Sequence, residues 1–247
     1  MKSDKSDLFE KICLLLELDQ TCDCKVLDIG CGQGELLGTL SKSIKTEPCL
    51  IGIDENKRAI EVAQQSLPNL EFHCEKFTDT LSFADDSFDA VVSVDTLECI
   101  PNKTELIDEI HRVLKPNGRV VFAHWDWDTQ VYNSVNIPII RKLVAAFSDW
   151  QQDWMETSDG QMGRRLRGLF EVSGKFKGNI VSFTLIETEF REGRYGYDRL
   201  SDLSELVGNG VIDPSEYEMI CNEMKALSNT KEYFYSLNSY IYSGQPS

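Results

Sequence analysis

Three stretches of this chain place reactive residue types at informative spacings. The first is "VLDIGCGQG" (26–34), where an apolar run is broken by Asp28 and then by Gly30, Gly32 and Gly34. Glycines at alternate positions let a backbone approach a ligand closely, and a helix that starts there turns its first amide groups toward it. The second is "CLIGID" (49–54), which ends on Asp54; a carboxylate at the tip of a second parallel strand can accept both hydroxyls of a ribose. The third is "VFAHWDWDTQVY" (121–132), in which His124 precedes Trp125, Asp126, Trp127 and Asp128, with Tyr132 close behind. Aromatic faces and carboxylates suit an amine or ammonium, and an imidazole can exchange a proton near neutral pH.

The glycine spacing narrows the ligand. In the dinucleotide pattern G-x-G-x-x-G the third glycine comes one residue later than Gly34 does here. Asp28 would also sit poorly beside a pyrophosphate, whereas it could receive a cationic amino group directly or through water. The ligand implied has an adenosine-like ribose at one end, a charged amino acid at the other and no phosphate.

Such residues need a scaffold, and the first 120 residues spell one. Short apolar runs at 25–29, 49–54, 70–74, 88–94 and 119–124 read as strands. Helical patterns starting near Glu35, after Asn56 and after Asn102 separate them. That alternation is the signature of a parallel sheet covered by helices. Asn102 and Glu105 have capping-box spacing, and Pro116 to Gly118 are expected to end that helix. Further on, 136–149 and 213–227 read as helices, and 180–190 and 232–244 as the last strands. Trp150 and Trp154, four apart, would share a helix face.

Composition excludes some partners. Twenty-five basic against 41 acidic residues give a net charge of −16, which disfavours nucleic acid and anionic membranes. No apolar run approaches a membrane span, and the first twenty residues read as an amphipathic helix rather than a leader. The eight cysteines fit neither a disulfide framework nor a metal-binding spacing, so reduced thiols in a cytoplasmic protein are expected. The whole reads as one domain: a cofactor-binding half over 20–124, an inserted cap over 125–175, and closing strands and a helix over 176–247.

In these landmarks the chain resembles the class I S-adenosylmethionine-dependent methyltransferases of the small-molecule type. The matching stretches are "VLDIGCGQG" (26–34), "IGIDEN" (51–56), "LSFADDSFDAVVSVDTLECI" (81–100) and "LKPNGRVVFA" (114–123), in family order, with "YFYSLNSYIYSGQ" as the closing strand. The resemblance implies an α/β, doubly wound, mostly parallel seven-stranded sheet with an antiparallel final strand, here with a small helical cap. It implies S-adenosyl-L-methionine as cofactor. Asp28, Gly30, Cys31, Gly32 and Gly34 would hold its methionine part, Asp54 its ribose, and Glu55, with Asn56, would flank the adenine. Many relatives have Asp-Ala where this chain has Phe77 and Thr78, which leaves the adenine to backbone amides and to stacking on Phe77. Val94 and Asp95, leaving the fourth strand, would lie beside the transferable methyl.

For the acceptor, the residues offer alternatives. His124 reads as base or as a structural histidine; Asp126 and Asp128 as counter-charges, or Asp128 as a cap with Thr129. Trp125, Trp127, Tyr132 and Trp154 read as aromatic walls, or the tryptophan pair 150/154 as an anchor for the cap. Arg164, with Arg165 and Arg167, would meet a substrate carboxylate or pair with nearby acids. The expectation is metal-independent methylation of a small molecule, an amine before a phenol or quinone-like compound, by a monomer or homodimer. A cofactor-binding protein without catalysis is the alternative of a different class.

Overall fold

Along the central strands, successive side chains fall into two separate cores, as a period of two in a sheet covered on both faces requires. The computed structural model describes residues 5–18, 23–44, 48–76 and 80–247. The strands are β1 (Lys25–Ile29), β2 (Cys49–Asp54), β3 (Glu71–Cys74), β4 (Phe88–Val94), β5 (Leu114–Trp125), β6 (Val131–Tyr132), β7 (Phe176–Glu187) and β8 (Tyr235–Pro246). In β4, Ala90 and Val92 join one core and Val91 the other; in β5, Val121, Ala123 and Trp125 face away from Val120 and Phe122.

Strands β3, β2, β1, β4 and β5 run parallel in that spatial order, and β8 joins β5 antiparallel. β7 pairs along the whole of β8, so β5 and the two-residue β6 lie end to end on the opposite edge of β8. The sheet therefore has eight strands rather than the seven expected, the extra one formed where the chain touches β8 again just beyond Trp125. Chain order reverses between β1 and β4, and ligands of open α/β sheets bind outside the carboxyl ends at such a switch point.

The first core is covered by α1 (Lys5–Leu15), α2 (Glu35–Ser43) and α3 (Lys57–Ser66), and the second by α4 (Lys103–Val113). Asn56 caps α3 as expected, accepting from the amides of Arg58 and Ala59. Asn102 makes no side-chain cap bond. α4 stops at Val113, and β5 begins at once, earlier than the Pro116–Gly118 punctuation suggests.

The stretch expected to be a cap divides in two. α5 (Ile137–Ser148) packs Ile140, Leu143 and Phe147 into the first core, while α6 (Met162–Val172) buries Met162, Leu166 and Phe170 in the second. Phe170 stacks on Tyr242 with centroids 4.7 Å apart, so α6 is a sheet-covering helix. Only the irregular segment 149–161 between them lies apart from the layers. Trp150 and Trp154 sit in that segment and share no helix face: α5 closes at Ser148, and the Gln151 side chain donates to the carbonyls of Met155 and Glu156 where helical bonds would otherwise run. The first core is completed by α7 (Tyr195–Asp202), α8 (Ser204–Gly208) and α9 (Pro214–Thr230).

Candidate active site

The glycine loop is pinned before any ligand arrives. Gly30 and Cys31 both donate to the carbonyl of Ile53, at 2.8 and 3.0 Å. Gly30 has φ +72°, and a Cβ there would lie 2.2 Å from Thr96 Oγ1, so only glycine fits. Gly34, at the amino end of α2, has φ +80°, and a Cβ would meet the Phe72 ring at 2.8 Å. The missing side chain lets the start of α2 approach the Phe72 ring closely. Asp54 at the end of β2 ties the pieces together: Oδ2 accepts from the Gly32 amide at 2.9 Å and Oδ1 from the Asn56 amide at 2.8 Å.

Two hollows meet over this loop. One, of about 390 Å³, is lined by Asp28, Gly30, Cys31, Gly32, Val94 and Asp95, with Lys5 and Phe9 of α1. The other, of about 540 Å³, is lined by Asp54, Glu55, Asn56, Thr96 and Ile100 and shares Gly30, Gly32, Val94 and Asp95. The sequence-predicted cofactor residues thus converge, apart from Gly34, which packs below, and Phe77 and Thr78, which lie outside the described residues. Acceptor oxygens of Asp54 at the tip of β2, the buried carboxyl group of Asp28 and a loop that tolerates close approach would suit the ribose hydroxyls, the cationic amine and the body of S-adenosylmethionine.

Asp28 is 2 % exposed. Burial, and then the charge of Asp54, push its carboxyl up to about 8, against the opposing pull of Lys5. Between about pH 4 and pH 8 the folded chain holds a proton that the unfolded chain releases, so stability falls as pH rises through that window. Asp28→Asn removes this loss. In thermal unfolding of the cofactor-free protein, the variant is expected to match the parent near pH 4 and to exceed it by several degrees at pH 8. Equal melting temperatures at both pH values would show that Asp28 is not held protonated.

Asp95 follows β4 in the left-handed region, φ +62°, where a residue other than glycine is strained. That backbone turn carries it to the point where both hollows meet a third, a cleft of about 160 Å³ walled by Trp127, Phe147, Trp150 and Trp154, with Glu98, Ser148 and Arg199. Asp95, Glu98 and His124 offer one ligand-type atom each within 4.8 Å of one another. His124 is fully buried, and its Nδ1 lies 2.8 Å from the Trp125 carbonyl. A carbonyl only accepts, so Nδ1 carries a hydrogen; the other ring nitrogen is Nε2. That nitrogen has no partner and faces Glu98 Oε2 at 3.9 Å. Glu98 also accepts from Trp127 Nε1 at 3.0 Å. Burial and the charge of Asp95 push its carboxyl up to about 7, while His124 and the Trp127 bond act in the opposite direction.

The acceptor residues expected from sequence separate. Trp127 and Trp154 line the cleft. His124 lies behind Glu98 and does not. Trp125 is 1 % exposed and packs on Phe183 and Tyr195 in the core. Tyr132 is buried with its hydroxyl donated to the Gly196 carbonyl. Asp126, fully buried, is held by the guanidinium of Arg164 and accepts from the Arg164 amide, while Asp128 meets the same arginine at 3.3 Å. Asp126, Asp128 and Arg164 are therefore occupied by one another, locking α6 to the end of β5. Glu98 and Arg199 were not singled out by sequence reasoning. Glu98 stood inside the recognised stretch 81–100 as a charge following a buried strand; Arg199 had no local signal.

Arg164→Met would leave Asp126 as a buried charge without a partner. A loss of about 2–4 kcal/mol is expected, below the full cost of breaking a buried pair because the arginine is partly solvated. At this chain length that is a drop of roughly 5–10 °C in Tm, and pairing the change with Asp126→Asn should restore most of it. A melting temperature unchanged by Arg164→Met would remove this pair from the stabilising set.

The comparisons with known proteins agree with this geometry. Residues 20–192 match the family model described as a methyltransferase domain. A 37.1 kDa protein in transposon Tn4556 of Streptomyces fradiae is 29% identical over 178 residues, 71% of this chain; the matched part spans only 50% of that relative's length. The demethylmenaquinone methyltransferase of Staphylococcus aureus is 29% identical over 174 residues, covering 65% of this chain and 71% of that protein. Among solved structures, a putative methyltransferase from Bacillus halodurans shares the fold, with TM-score 0.61 at 16% identity, over 96% of this chain and 97% of that one. No helix among the described residues is long and apolar enough to cross a membrane. With the switch-point crevice, the glycine loop and the two aspartates in place, the chain belongs to the methyltransferase domain family, the class I enzymes that use S-adenosylmethionine.

Proposed function

We propose that the protein transfers the methyl group of S-adenosylmethionine to a small-molecule amine bound in the cleft beside Asp95 and Glu98. The observation that carries this reading is the pair of carboxyl groups at the point where that cleft opens on the cofactor crevice. Asp95 lines crevice and cleft alike, Glu98 stands beside it, and among the described residues neither is paired with a lysine or arginine; His124 lies 3.4 Å from Asp95.

The cofactor supplies a methyl carbon activated by a positively charged sulfur. Asp95 and Glu98 attract the acceptor as its ammonium form. Ionised Glu98 takes the ammonium proton, and His124, behind it, favours that ionised state. The freed lone pair would face the methyl carbon that a bound cofactor would supply, its sulfur leaving with the electron pair of the carbon–sulfur bond. Trp127, Phe147 and Trp150 exclude water and hold the acceptor in line. His124 is thus a positioning residue, and the group that touches the acceptor is Glu98. No metal is required, because the methyl donor is already activated and the carboxylates receive the amine; a rate unchanged by EDTA is expected.

Methylation of a phenol or quinone-like compound at oxygen or carbon is the second reading, supported by the Staphylococcus aureus relative and by the aromatic walls. Incubation with methyl-labelled cofactor and parallel panels of amines, phenols and quinols separates the two by product mass. Labelled amines support the proposal, and label confined to phenols or quinols overturns it in favour of the second reading. Cofactor binding with no labelled product in any panel would make the chain a binding protein.

A further inference from the structure

We infer that the acceptor carries a carboxylate as well as its amine, and that Arg199 and Ser148 form the site that reads it. This deepens the reading just proposed and rests on it. Buried polar side-chain atoms normally find a partner. Among the described residues seven such atoms lack one, and four of these stand at the cleft or directly behind it: Asp95 Oδ1, His124 Nε2, Ser148 Oγ and Arg199 Nε. The first two are the acidic cluster already described. The other two line the cleft but not the cofactor crevice.

Among the described residues Arg199 is the one cation lining this cleft, and it is held in place. Its guanidinium lies over the rings of Trp127, Phe147 and Tyr195, with 5.7–5.8 Å to each centroid. One terminal nitrogen reaches Asp202 at 2.9 Å, one turn further along α7. Asp202 therefore occupies one edge of the fork, while the Nε–H has no acceptor. Ser148, the last residue of α5, adds a hydroxyl without a partner. A guanidinium N–H and a hydroxyl are both donors, and a carboxylate offers two acceptor oxygens to take them. A phosphate dianion would meet one shared arginine opposite two carboxylates in a cleft of about 160 Å³, which fits a monoanion better.

An acceptor with ammonium toward Asp95 and Glu98 and carboxylate toward Arg199 and Ser148 is an amino acid or a compound built like one. The atoms it would meet are out of reach of solvent, so entry requires the segment 149–158 to lift. That segment is joined across the crevice by the exposed Lys76–Glu156 pair at 3.3 Å, a contact of little cost to break.

The test uses benzoate, a carboxylate with no atom to be methylated, and benzamide, its neutral counterpart. Each is titrated into protein saturated with S-adenosylhomocysteine, with the fluorescence of the cleft tryptophans as readout. Benzoate is expected to bind at least tenfold more tightly than benzamide. Arg199→Gln should remove that preference with S-adenosylhomocysteine affinity unchanged, and Ser148→Ala should reduce it. Equal binding of the two probes to the parent protein, binding of neither, or a preference that survives Arg199→Gln would each overturn the assignment. Failure of S-adenosylhomocysteine to bind at all would overturn instead the methyl-transfer reading beneath it.

Discussion

Asp54→Ala is expected to weaken S-adenosylmethionine binding by roughly two to four orders of magnitude. Two ribose hydroxyls donated to a carboxylate are charge-assisted bonds of about 1.5–3 kcal/mol each, and each 1.4 kcal/mol is tenfold in affinity. The loss has a second source in this fold. Asp54 also accepts from the Gly32 and Asn56 amides, so the variant removes one tether of the glycine loop and leaves those of Gly30 and Cys31 to the Ile53 carbonyl. Asp54→Asn keeps one carbonyl acceptor and should lose less than the alanine variant. Calorimetric titration with S-adenosylmethionine and S-adenosylhomocysteine, with thermal unfolding as a control for folding, measures both. NAD, whose pyrophosphate would have to lie against the buried Asp28 carboxyl group, should not bind the parent protein. Undiminished affinity in a folded Asp54→Ala variant would place the ribose elsewhere and require the crevice to be reassigned.

How legible such a site is depends on how local its determinants are. The glycine loop and Asp54 could be read because turn geometry, a positive φ and a strand tip are properties of a few consecutive residues. The sheet could be read because strands buried on both faces are short and nearly all apolar, as "FDAVVSV" is. β6 could not be read: two residues become a strand only because β8 passes beside them. The tryptophan spacing at 150 and 154 misled because four-residue spacing implies a shared face only inside a helix, and nothing in that stretch continues α5. The acceptor side depends on long-range pairing. Asp126 looked like a free counter-charge until α6 folded back and set Arg164 on it. Arg199 enters the cleft only through the packing of α7 against Trp127 and Phe147. His124 and Glu98 illustrate the same limit within one site: one lies near the end of β5 and the other in a short helical turn after β4, and packing decides that the carboxylate reaches the cleft while the imidazole lies behind it.

That division of labour gives the other large effect. Glu98→Gln is expected to lower kcat by roughly 10²–10⁴, the usual range for loss of a positioned base, while cofactor affinity changes little. In the parent enzyme Glu98, pushed up to about 7, is mostly protonated below neutrality and ionised above it. The rate should therefore rise with pH through about 7, and this rise should vanish in Glu98→Gln. Variants at its neighbours should move the rise in opposite directions. The Asp95 charge raises the Glu98 pKa and His124 lowers it, so Asp95→Asn should shift the rise to lower pH and His124→Gln to higher pH. Asparagine also tolerates the left-handed backbone that Asp95 occupies, so the first of these should fold normally. A merely structural histidine would change stability or the maximal rate without moving the profile, and a pH dependence identical in all three variants would remove Glu98 as the proton acceptor. The decisive comparison is between profiles, because Asp95 and His124 act on the Glu98 carboxyl in opposite directions, and a titrating Glu98 must register both.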